Sequence, residues 1–314
     1  MIQYIVRRLL ALVPVLLGIS LIVFVLVHLV PGDVVSILLG PTTSPEAREA
    51  LRKLFGLDEP LQVQYVRWLG GVLHGDLGTS LRTGQPVLSS ILDRFSVTLE
   101  LTGLAMVVAL LIGVPAGLIG AVKQYSKLDY AVTLFALAGL SVPNFLLATL
   151  MILLLSLSVR LLPPSGYVAF SVDPAQNLRL MAMPALALGL GAASYITRMT
   201  RSSVLETLRQ DFVRTAYAKG LPSLAVIIGH ALKNALIPIV TVVGIQLGYL
   251  LGGAVIVEAI FAVPGVGRLA LDGINMRDYP VVQGTVLFIT VVFVFINLAV
   301  DVLYAYLDPR IQYE

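Results

Sequence analysis

Six apolar runs recur along the chain, each of eighteen residues or more, at residues 9–30, 96–122, 130–159, 183–200, 234–260 and 284–306. The first holds 22 residues, which at about 1.5 Å each gives roughly 33 Å of helix, enough to cross a hydrocarbon core. Arg7-Arg8 stands just ahead of it, so a cleaved leader is the competing reading. The run exceeds the roughly 7–15 residues of a leader's apolar region and no A-x-A site follows, so we read a retained first span. Pro143 falls inside the third run and predicts a kink, because proline removes a backbone hydrogen bond that neighbouring helices must replace. Gly113/Gly117 in the second run and Gly244/Gly248/Gly252 in the fifth are small residues at four-residue spacing. They predict close helix packing rather than chemistry.

One long polar segment interrupts the pattern. Pro31-Gly32-Asp33 closes the first run, and the segment continues to about Arg94. Ser44-Pro45 is an N-cap and first-turn pair, and Gly56 stops the predicted helix after Phe55. A second helix is expected after Pro60, where Leu61, Tyr65, Trp68, Leu69 and Val72 share one face. That face is expected to pack within this segment, with the lipid interface or a partner as alternatives. The organisation expected is a first helix (1–31), an extracytoplasmic domain (32–95), a five-helix membrane domain (96–307) and a short cytoplasmic tail (308–314).

Composition agrees with the pattern. Only 12% of the 314 residues are charged, 58% are hydrophobic and the mean hydropathy is +0.93, whereas soluble domains carry about 25% charged residues. The fold class is therefore all-α and polytopic, with six transmembrane helices. A net charge of +3, with the basic residues at span edges, does not argue for a nucleic-acid partner. With a cytoplasmic N-terminus, eleven basic residues fall in the short loops and ends of that side: Arg7, Arg8, Lys123, Lys127, Arg198, Arg201, Arg209, Arg214, Lys219, Lys233 and Arg310. Four, Arg160, Arg179, Arg268 and Arg277, fall opposite. The bias places both termini in the cytoplasm, consistent with an even number of spans.

The chemistry-bearing residues are few. There is no cysteine, so disulfides and thiolate metal sites are excluded. His28, His74 and His230 form no metal-ligand pair. No lysine is followed by Ser or Thr, so no Walker-type phosphate cradle occurs, and no G-x-S-x-G elbow is present. Glu100, Glu258 and Asp301 lie near span ends, whereas an ion-driven carrier usually keeps ionisable groups near the midplane.

Residues 210–238 read differently from everything around them. Arg214, Lys219, His230 and Lys233 stand among small and apolar residues, Gly220 supplies a left-handed helix stop and Pro222 restarts a helix at Ser223. This is a helix–glycine–helix elbow on one membrane face. Arg214-Thr215-Ala216 through Lys219-Gly220, with Leu236-Ile237-Pro238 downstream, resembles the loop by which inner-membrane permeases of ABC importers dock on their ATPase. The likeness is to the dipeptide/oligopeptide (nickel/peptide) branch. Arg214 and Thr215 replace the first letters of the general Glu-Ala-Ala form, and the distance to the closing proline is longer. The resemblance continues through Gly75-Asp76-Leu77-Gly78-Thr79-Ser80, Ser141-Val142-Pro143-Asn144-Phe145, Leu162-Pro163-Pro164-Ser165-Gly166-Tyr167, the stretch from Glu258 to Arg268, Arg277 to Gly284, and Asp308-Pro309-Arg310.

The resemblance implies a type I ABC-importer permease fold in the cell's inner membrane, with the polar segment inserted after the first helix. It implies a transport subunit rather than an enzyme, with no cofactor of its own; ATP and magnesium would be handled by two partner ATPase subunits. The other expected partners are a second homologous permease, an extracytoplasmic solute-binding protein and membrane lipid. Asp211, Arg214, Thr215, Ala216, Ala218, Lys219, Gly220 and Pro238 become the expected ATPase-coupling residues. Small Ala216, Ala218 and Gly220 would permit close approach, while Arg214 and Lys219 contact the ATPase or anionic headgroups. Polar residues inside the spans, Asn144, Thr149, Gln246 and Asn297, are candidates for a translocation path, with helix-to-helix bonding as the alternative. Short peptides are the expected cargo, and nickel, glutathione or oligosaccharide remain open. From other classes, a stand-alone secondary transporter is the runner-up, and a membrane-embedded enzyme lacks a catalytic constellation.

Overall fold

The computed structural model describes residues 2–29 and 58–307, together with Ser44, Glu49 and Lys53. Among them regular structure is helical, apart from one isolated bridge between Thr79 and Pro86. The helices are α1 (Ile2–Leu29), α2 (Leu61–Leu73), α3 (Val87–Val122), α4 (Lys127–Ser141) and α5 (Asn144–Met151), which runs on as a π-helical stretch, Ile152–Ser158. Then come α6 (Pro174–Leu208), α7 (Asp211–Ala218) and α8 (Ser223–Ala225), the last passing through a π-helical stretch, Val226–Leu232, into α9 (Lys233–Ile260). The chain ends with α10 (Val266–Met276) and α11 (Tyr279–Leu307). The rest of the helix expected between Ser44 and Gly56, and the ending at Asp308-Pro309-Arg310, lie outside the described residues. Glu49 and Lys53 are both helical and pair at 2.9 Å.

The chain divides into two compact units: Met1–Val97 with Pro264–Val294, and Thr98–Val263 with Phe295–Glu314. In the first, α2 lies against α1. The Ser20 and Tyr65 hydroxyls are 2.8 Å apart, and Phe24 meets Tyr65 edge-on and Trp68 at a tilt, with centroid distances of 5.4 and 5.9 Å. The apolar face of α2 therefore rests on the first span rather than inside the polar segment, because the described partners large enough to cover two aromatic rings are on α1. Val87, Ile91, Val266, Leu269 and Val281 form this unit's buried core.

Two stretches almost two hundred residues apart meet in the same unit. The Ser80 hydroxyl donates to Asp278 Oδ2 at 2.5 Å, and the Leu81 N–H donates to Oδ1 at 3.1 Å. Both side chains are buried, where a carboxylate is tolerated only when hydrogen-bonded. Gly78, at φ +85°, makes the turn that presents Ser80; its N–H is held by Asp76 Oδ1 at 2.8 Å.

The second unit is organised by glycines. A Cβ on Gly113 would lie 2.8 Å from the Ala193 carbonyl oxygen, one on Gly117 2.5 Å from that of Thr197, and one on Gly189 2.6 Å from that of Ala105. The contacts pair 105 with 189, 113 with 193 and 117 with 197, so α3 and α6 run parallel, backbone against backbone. Parallel neighbours oblige the chain between them to return across the layer, and α4 with α5 is the segment that does so. Glycine also admits a neighbour at Gly244, which packs on Val300 of α11, whereas a Cβ on Gly252 would meet nothing within 4 Å. The fifth-run glycines thus do not form one continuous packing row.

The third run is the main departure from the sequence expectation. Its two halves, Lys127–Ser141 and Asn144–Ser158, meet at 102°, a break rather than a kink. Val142, in the extended region that a following proline favours, and Pro143, at ψ 141°, leave the helical region together. Five described helices are long and apolar enough to span a membrane, and six when the bent pair counts as one.

A buried ion pair fixes the start of α4 to α6. Arg201 donates through Nε to Asp129 Oδ1 at 2.6 Å and through a second nitrogen to Oδ2 at 2.9 Å. Asp129 also accepts from the Tyr125 N–H, and its own N–H donates to the helix-capping Ser126 hydroxyl. At the opposite end of this unit, the Thr98 hydroxyl donates to the fully buried Glu258, the Gly166 N–H to the Phe261 carbonyl, and the Tyr167 phenol to Glu100. Burial, then the bond to Glu100, pushes the Tyr167 phenol up to about 12.

Two measurements on the purified chain check this packing. Arg201→Ala strands a buried carboxylate and is expected to cost about 3–5 kcal/mol, most of it recovered in the paired Asp129→Asn, Arg201→Met variant; thermal unfolding in detergent reads both. Gly117→Leu is expected to cost about 1–3 kcal/mol through overpacking, whereas Gly252→Leu leaves the unfolding midpoint unchanged.

Candidate functional site: the elbow and the polar residues of the spans

The elbow is built at the end of α6. Arg209 ends that helix, Gln210 is extended, and α7 begins at Asp211, whose carboxylate suits a helix N-terminus. Residues three apart share a helix face, so Val213 and Ala216 point the same way. They are 1% and 5% exposed and pack with Val226 and Leu208 into a small apolar hinge. Gly220 has φ +79° and ends the helix, with its N–H donating to the Tyr217 carbonyl at 2.9 Å. Pro222, at ψ 144°, then directs the chain into the helix that starts at Ser223.

The other face of α7 is open. Asp211, Arg214, Thr215, Ala218 and Lys219 are exposed, as are the large apolar Phe212, Tyr217, Leu221 and Leu224, the last at 69%. Arg214 reaches Asp211 at 3.3 Å, but both side chains are largely exposed, and such a pair contributes little. Of the expected coupling residues, the fold gathers Asp211 through Gly220 in one short arm. Within it Ala216 faces inward, so its small size serves the hinge. Pro238 is elsewhere: it lies half-buried inside α9, eighteen residues beyond Gly220, or about 27 Å of helix.

The four polar residues of the spans stand on three helices, α5, α9 and α11. Asn144 opens α5 with its amide beside glycines of α6 and α9, its Oδ1 3.1 Å from where a Gly191 Cβ would stand and its Nδ2 3.7 Å from that of Gly253. Thr149 is exposed and its hydroxyl donates back to the Phe145 carbonyl at 2.8 Å. Gln246 and Asn297 are half-buried on α9 and α11. Among the described residues, no group of three or more His, Asp and Glu is arranged to hold a metal ion.

The sequence reading missed the Asp129–Arg201 and Ser80–Asp278 pairs. The first had a local signal, Ser126 three residues before Asp129 at a helix start. The second had none, because its partners are 198 residues apart.

Comparison with known proteins agrees with this architecture. Residues 113–313 match the family model for the binding-protein-dependent transport system inner membrane component, and residues 1–102 match the model for the N-terminal part of such membrane components. The chain is 44% identical to the dipeptide transport system permease protein DppB of Alkalihalophilus pseudofirmus over 333 aligned residues, and 42% identical to DppB of Escherichia coli K12 over 338, with both chains covered in full. A putative peptide transport system permease protein of Brucella abortus is 42% identical over 99% of each chain. Among solved structures, an inward-facing MetNI methionine ABC transporter chain superposes with a TM-score of 0.58 at 21% identity, covering 69% of this chain and 96% of that one. A chain of an amino acid ABC transporter gives 0.51 at 15% identity, covering 71% and 94%. These structures share the fold. From the two family models and the full-length relatives, the chain belongs to the family of binding-protein-dependent transport system inner membrane components, the permease subunits of ABC importers.

Proposed function

We propose that this permease forms the translocation pathway of an ATP-driven importer of short peptides, and that its α7 elbow is the point at which separate cytoplasmic ATPases act on it. The peptide reading rests on the relatives, since the DppB proteins that match end to end are named for dipeptide transport. Nickel, glutathione and oligosaccharide rank behind it because none of the relatives cited above is named for them. The working assembly has a second homologous permease, two ATPase subunits that bind ATP and magnesium, and an extracytoplasmic solute-binding protein. Both termini and the elbow face the cytoplasm of the inner membrane, and residues 32–95 face outward.

The observation that carries the reading is the two-faced build of α7. A helix of eight residues is too short to be stable alone, yet this one is anchored by Val213 and Ala216 on Val226. Its outer face meanwhile leaves Phe212 and Tyr217 in the open, and α8 does the same with Leu224. Exposed apolar side chains rimmed by Asp211, Arg214 and Lys219 make a docking surface. A force applied there reaches α6 on one side and α9 on the other, since the hinge joins the ends of both. Closure of paired ATPases would then move paired elbows and reorient the attached spans, a rigid-body motion of the kind that opens and closes other two-state proteins.

Gly220→Val tests this. A Cβ at Gly220 meets nothing within 4 Å, so the effect is confined to the backbone, where a left-handed conformation costs roughly 1–2 kcal/mol. In proteoliposomes holding the full assembly, dipeptide uptake is expected to fall about tenfold, with binding-protein-stimulated ATP hydrolysis persisting and permease abundance unchanged. Undiminished uptake would count against the elbow. Uptake of nickel, glutathione or oligosaccharide in place of dipeptides by the unaltered assembly would overturn the cargo, and transport by the permease without ATPases would favour a secondary carrier.

A further inference from the structure

We propose that the groove between α3 and α4 binds one acyl chain of an anionic phospholipid whose phosphate is held by Lys123 and Lys127. The groove has a volume of about 340 Å³ and apolar walls: Ile112, Ala116 and Ile119 of α3 on one side, Leu128, Ala131 and Phe135 of α4 on the other. Each wall ends in a lysine by helical geometry. Lys123 follows Ile119 by four residues, and its N–H donates to the Ile119 carbonyl at 2.9 Å, so the winding of α3 carries it onto the groove face. Lys127, Ala131 and Phe135 stand four residues apart along α4 and share that helix's groove face.

The charge at the mouth selects the occupant. Both lysines are exposed and neither is in an ion pair among the described residues. The nearby carboxylate, Asp129, is 3% exposed and locked by both arms of Arg201, so it does not neutralise them. The mouth therefore presents two uncompensated positive charges above an apolar slot, the pattern of a headgroup phosphate over its chain. Tyr125 and Tyr130, 77% and 66% exposed beside the same mouth, have the amphipathic rings that sit at headgroup level. A transmembrane helix of another subunit would fill the slot but leave both lysines without an anion, so the lipid is the better fit.

Native mass spectrometry of the full-length chain, released from detergent with phosphatidylglycerol or phosphatidylcholine added, tests the site. The chain is expected to retain phosphatidylglycerol roughly tenfold more strongly than phosphatidylcholine. Lys123→Gln with Lys127→Gln is expected to erase that preference, and Ala116→Phe, which fills the slot, to reduce retention of both lipids. Equal retention of the two lipids, or phosphatidylglycerol held undiminished by either variant, would overturn the proposal. Because the chain has no cysteine, Ala131→Cys carrying a photo-crosslinker adds a second readout in native membranes. Adducts on lipid support the site, and adducts on another subunit instead would overturn it.

Discussion

The contact on which the membrane layer depends is that of α3 with α6, where Gly113, Gly117 and Gly189 remove the side chains that would hold the two backbones apart. In lipid there is no hydrophobic gain from helix association, so close packing is what holds spans together. Because these two helices run parallel, the intervening chain has to cross back. That requirement explains why α4 and α5 serve as one crossing despite a 102° break. It also places Arg201 of α6 beside the start of α4, where the ion pair with Asp129 fastens the returning segment.

From that frame follows the position of the elbow. α6 ends at Leu208, and the next helix is only eight residues long before Gly220 reverses the chain. With Val213 and Ala216 turned inward, the arm is packed onto the chain on either side of it, through Leu208 and Val226. Its charged and aromatic outer face is the surface on which the proposed ATPase contact rests. The π-helical stretch at Val226–Leu232 stands between the arm and α9. Such irregular turns often mark functional sites in helices, and this one lies where a push on the arm would enter the long span.

Much of this was readable from the chain. Apolar length gave the spans, because a helix in hydrocarbon cannot expose its backbone and so needs an unbroken apolar run. Gly220 as a left-handed stop and the Gly113/Gly117 contact were also legible, since each follows from what a missing Cβ permits. What escaped were properties of the partner and not of the segment. Pro143 reads the same whether it bends a helix or ends one; the extended backbone of Val142 and Pro143 is what separates the two. Ala216 reads as a small residue of the arm, and its packing on Val226 depends on a partner ten residues away. Tyr65 and Trp68 read as a domain's inner face until Phe24 of α1 is seen beneath them.

The account's central claim is that α7 carries the contact with the motor through its outer face. Single cysteines introduced into this cysteine-free chain at Ala218 and Ala216, followed by thiol crosslinking in the assembled transporter, test it most directly. Ala218, exposed on the arm, is predicted to crosslink to an ATPase subunit with a yield that changes on ATP binding, and Ala216, buried in the hinge, to remain unlinked. An Ala218 cysteine that never reaches the ATPase, while a cysteine at the opposite end near Tyr167 does, would contradict it.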